Sequence, residues 1–61
     1  SLQQIKADIR LAEKSRDVRE IAMLYVSYAY ELFHTYEKYD ESIAYFQRTL
    51  KIYSTYKQEF T

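Results

Sequence analysis

Apolar residues recur at three- and four-residue spacing along almost the whole chain, and the breaks in that recurrence divide it into three helices. Leu2, Ile5, Ile9 and Ala12 share one face of a first helix over about 2–14, with Gln, Lys, Asp, Arg and Glu on the rest of its surface. The pattern lapses at Ser15 and Arg16. Asp17, followed three residues later by Glu20, then reads as a capping-box start for a second helix over about 18–37. Placed at about 100° per residue, Val18, Ile21, Ala22, Leu24, Tyr25, Val26, Tyr28, Ala29, Leu32, Phe33 and Tyr36 cover an arc of roughly 200°. An arc that wide predicts a helix covered on two sides.

Asp40 is the expected N-cap of a third helix over about 40–59, with Glu41 in its first turn and Tyr39 packing back from ahead of the cap. This helix carries two apolar stripes about 100° apart: Ile43, Phe46, Leu50 and Tyr53 on one, and Tyr45, Ile52, Tyr56 and Phe60 on the other. In a three-helix unit the neighbours can consume only one. The second stripe, Tyr45, Ile52, Tyr56 and Phe60, is therefore expected to pack on something further, either an adjacent repeat or another copy. The architecture predicted is all-α: three antiparallel helices forming one domain, or a piece of a larger helical array.

Composition agrees with this reading. Among 61 residues there is no Gly, Pro, Cys or Trp, so every strong breaker of helices is missing and no disulfide or thiolate metal site can form. Nine basic residues balance nine acidic ones without forming a basic stripe, which argues against nucleic acid or an anionic membrane as partner. The longest nearly apolar run, residues 21–30, falls well short of the ~20 residues of a membrane span. Cysteine usage leaves the compartment open, and a cytoplasmic location is the working expectation. With no initiating Met, the chain reads as an excised or processed piece.

The sequence also matches itself at an offset of 41: Ser1 falls on Ser42, Leu2 on Ile43, Ile5 on Phe46, Ile9 on Leu50, Arg10 on Lys51, Leu11 on Ile52 and Arg16 on Lys57. The first and third helices therefore look like equivalent helices of successive repeats. Over residues 23–54, where the run AYELFHTYEKYDESIAYFQRTLKIY occurs, the chain resembles the tetratricopeptide repeat family in a long-period form. Tyr39 falls on that family's aromatic before the second helix, Ser42 on its small Ala position, Thr49 near its second small position, Phe46 on its buried aromatic and Phe33 on its helix-A aromatic. Tyr30 and Glu37 stand where the family usually has Gly, and Ser54 where a Pro often closes the repeat. The resemblance implies a helical hairpin preceded by one extra helix, acting as a protein- or peptide-binding module. It also implies a concave groove lined by Leu24, Ser27, Glu31, His34 and Thr35, with Glu31 favouring a neutral or basic peptide. Residues 39–53 are also similar to the second helix of the microtubule-interacting-and-trafficking bundle, which needs a further helix afterwards, and a stand-alone three-helix homodimerisation module is a third reading.

Catalytic chemistry has little support. One His, no Cys and no Gly-rich loop exclude most nucleophilic triads, phosphate cradles and zinc sites within one chain, so no enzyme activity, cofactor or metal is expected. The sharpest exception is Glu31-x-x-His34, the spacing used in di-iron carboxylate bundles, which would need further glutamates from a second chain. The alternative is a solvated pair on the polar side of the second helix. The eight tyrosines suit both half-buried core and interface positions.

Overall fold

In a computed structural model, which describes residues 1–59, the chain forms α1 (Leu2–Ser15), α2 (Val18–His34) and α3 (Tyr39–Glu59) and, among those residues, no strand. Each boundary has a local cause. Ser1 accepts the Gln4 N–H at 3.4 Å to begin α1, and Arg16 ends it in the left-handed region at φ 60°, donating its N–H to the Ala12 carbonyl. Asp17 caps α2 as expected, its carboxylate accepting the Glu20 N–H at 3.3 Å.

Two boundaries differ from the periodicity. The second helix stops at His34, three residues before the expected end, because Glu37 adopts φ 54° and the Lys38 N–H reaches back to the Leu32 carbonyl at 2.9 Å. Tyr36 thus lies in the turn, exposed, and not on a helical arc. The third helix starts at Tyr39, with the Lys38 carbonyl accepting from the Ser42 N–H, so Asp40 sits inside the first turn. There its charge favours the helix dipole without capping. Tyr39 does pack back: its ring meets Phe33 edge-on at 5.0 Å.

The middle helix is the hub. Ile9, Tyr25, Tyr28 and Leu32 form the buried cluster, with Leu2, Ile5, Ile21, Leu24, Tyr45 and Ile52 packed around it. Small residues bring α3 close to α2: Ala22, Ala29, Ser42 and Thr49 are buried, and the Ser42 hydroxyl donates to the Ala29 carbonyl at 2.9 Å. That bond satisfies a hydroxyl which has no access to water. Among the described residues, helices α1 and α3 each pack on α2, and no Cα pair between α1 and α3 lies within 8 Å. The result is an open, slab-like arrangement of 37 × 21 × 11 Å.

Candidate functional site

The third helix turns a different stripe outward from the one the pattern suggested. Tyr45 and Ile52 are half-buried against the core, and Tyr45 sets its ring against the faces or edges of Tyr25 and Tyr28 at 5.4 and 4.7 Å. Tyr56, 39% exposed, lies with Val18 and Ile52 along an open groove of about 390 Å³ between the start of α2 and the end of α3. Phe60 lies outside the described residues. The exposed stripe is Ile43, Phe46, Leu50 and Tyr53, with Leu50 67% exposed.

The cause of this correction is the small pair Ser42 and Thr49. Closest approach to α2 goes to the residues that take least room. Their position on the wheel places Tyr45 and Ile52 on the flank nearer α1, and Ile43, Phe46, Leu50 and Tyr53 on the flank away from it. On α2, Val26 and Phe33 project on that same outer flank, so the apolar face runs continuously from one helix to the other through the Phe33–Tyr39 contact.

The offset of 41 gives this face a meaning. Leu2, Ile5, Ile9 and Ala12, the stripe by which α1 packs on α2, fall on Ile43, Phe46, Leu50 and Tyr53. What is covered in α1 is uncovered in α3. The total accessible surface, 4959 Å², exceeds the roughly 4,200 Å² typical of a compact monomer of 7.5 kDa, an excess of roughly 700 Å².

The expected groove residues occupy the side of α2 turned away from α3. Ser27 and His34 are exposed there, and Leu24 and Glu31 are half-buried. Thr35 does not continue that face as a helical residue: it is the C-cap, its N–H donating to the Glu31 carbonyl at 2.9 Å. The His34 ring lies 4.1 Å from Tyr30, tilted by 36°, and meets Phe33 edge-on at 5.0 Å, an aromatic shelf that the one-dimensional reading did not anticipate. Its signal was available in the i, i+4 spacing of Tyr30 and His34.

Two polar contacts border the core, one between helices and one within α3. The Tyr25 hydroxyl donates to the Glu13 carboxylate at 2.7 Å, joining α2 to α1, and the Arg48 guanidinium lies 4.6 Å over the Tyr45 ring. Burial, and then the Glu13 carboxylate through its hydrogen bond and charge, push the Tyr25 hydroxyl up to about 12, with Arg48 opposing. Among the described residues no three His, Cys, Asp or Glu side chains gather as a metal set around Glu31 and His34 or elsewhere. Nor, among those residues, is any helix long and apolar enough to cross a membrane. No protein-family model, curated protein or solved structure matches the chain. The tetratricopeptide resemblance therefore rests on its own residues.

Proposed function

We propose that this chain is a non-catalytic interaction module of tetratricopeptide-like type. The side of α2 turned away from α3 recognises a protein or peptide, and the outer stripe of α3 packs on a neighbour. The observation that carries the reading is the open helical layer: α2 is covered by α1 and α3 but keeps Ser27, Glu31 and His34 accessible or partly so, and α3 keeps an apolar stripe uncovered. Contiguous exposed apolar residues of this kind, such as Ile43, Leu50 and Tyr53 on one stripe, are a usual feature of interaction sites.

Recognition on α2 would combine the Tyr30–His34 aromatic shelf with the Glu31 carboxylate. A peptide with an apolar or aromatic side chain beside a Lys or Arg fits that pair. Fluorescence anisotropy with labelled neutral, basic and acidic peptide pools tests this. Basic and neutral pools should bind more tightly than the acidic one, with Glu31→Lys reversing the order and His34→Ala weakening binding severalfold. Equal response to all three pools, unchanged in both variants, would remove the groove from the proposal.

A further inference from the structure

We infer that the outer face of α2 and α3, built on Val26, Phe33, Ile43, Phe46, Leu50 and Tyr53, is covered by the same face of a second copy of this chain, in a two-fold, antiparallel pairing. The inference deepens the reading of the chain as an interaction module by naming the neighbour. Three observations select a second copy.

The first is area. The surplus surface of roughly 700 Å², summed over the whole chain, is of the order of the ~800 Å² that each partner contributes to a standard interface. Two copies each burying that much would reach the roughly 1,200–2,000 Å² total of a standard-sized interface. The second is composition. The six residues that form the face are all apolar or aromatic, and the chain carries no net charge, so face-to-face approach meets no electrostatic barrier.

The third is polarity along the face. At one end Arg19 borders it beside Ala22 and Tyr53. At the other end the α2–α3 turn gathers Glu37, Asp40 and Glu41 around Lys38 and Tyr39. A two-fold axis lying in the plane of the interface, across the helix direction, lays the Arg19 end of each copy over the acidic turn of the other. Parallel stacking would set like charge on like. Self-complementarity of this kind is what an isologous interface requires.

Sedimentation equilibrium over a hundredfold concentration range, with circular dichroism on the same samples, tests the pairing. The intact chain should pass from monomer to dimer and stop there, and Leu50→Glu should weaken association at least tenfold. Should Leu50→Glu fail to fold, single cysteines placed in this cysteine-free chain decide the matter. Leu50→Cys should form an intermolecular disulfide under mild oxidation far faster than Leu11→Cys, which sits equally exposed on α1. A helical monomer at every concentration, a dimer indifferent to Leu50→Glu, or faster cross-linking through Leu11→Cys would each overturn the pairing. Peptide binding on α2 is read separately by anisotropy, so either reading can fail while the other stands.

Discussion

The stripes of α1 and α3 have closely similar patterns and opposite fates. Ile9 is 6% exposed and packs in the central cluster, whereas Leu50, its counterpart at an offset of 41, is 67% exposed. The difference lies in what each helix meets: α1 has α2 against its stripe, and α3 meets the same α2 through Ser42 and Thr49 instead. Periodicity therefore shows that a face is apolar, and the size of the residues at the closest helix–helix approach decides which apolar face is used.

The sharpest way to break this comparison is to truncate one leucine from each region. Leu32 is fully buried in the cluster that α2 shares with both neighbours. Leu32→Ala should cost about 2–5 kcal/mol, a large share of the stability of so small a domain. Thermal denaturation should then show the midpoint falling by roughly 10 °C or more, or no cooperative transition at all. Leu50→Ala, measured at concentrations low enough to keep the chain monomeric, should change stability by less than about 0.5 kcal/mol. Equal losses in the two variants would mean that the stripe of α3 is covered within a single chain.

A smaller effect sharpens the α1–α2 side. The Tyr25 hydroxyl bonded to Glu13 gives that pair of helices a polar tie, and Tyr25→Phe should cost about 1–2 kcal/mol at neutral pH. The pH dependence has a definite sign. Because the folded state holds the Tyr25 proton up to about 12 against an ordinary value of 10.0, its contribution is fully present below pH 10 and is lost as the pH rises toward 12. Denaturant titrations from pH 8 to 12 should therefore show a steeper alkaline loss in the intact chain than in Tyr25→Phe. Parallel curves would assign the alkaline loss to the other tyrosines.

Much of the architecture was legible in one dimension. The three helices, the Asp17 cap and the wide apolar arc of α2 follow from spacing and residue type, whereas Ser42 and Thr49 as small positions come only from the tetratricopeptide resemblance. The rotation of α3 did not, because both of its stripes are equally apolar and only the three-dimensional fit of Tyr45 against Tyr25 and Tyr28 chooses between them. Of the candidate groove, Ser27, Glu31 and His34 share a face as their spacing required, and Thr35 was lost to the cap once α2 ended early.

That early end is itself a departure from local preference. Glu37 holds φ 54°, where a side chain's Cβ crowds the backbone at a cost of about 1–2 kcal/mol that glycine avoids. The α1–α2 turn makes the same departure at Arg16 with φ 60°, so both connections place charged residues in left-handed conformations. Glu37→Gly relieves the crowding but gives the unfolded chain more freedom, which returns part of the gain. The net should be a stabilisation of about 0.5–1 kcal/mol, seen as a rise of a few degrees in the thermal midpoint. If Glu37→Gly destabilises the protein instead, the carboxylate itself holds the turn. The acidic end of the outer face would then have a structural role besides its complementarity to Arg19.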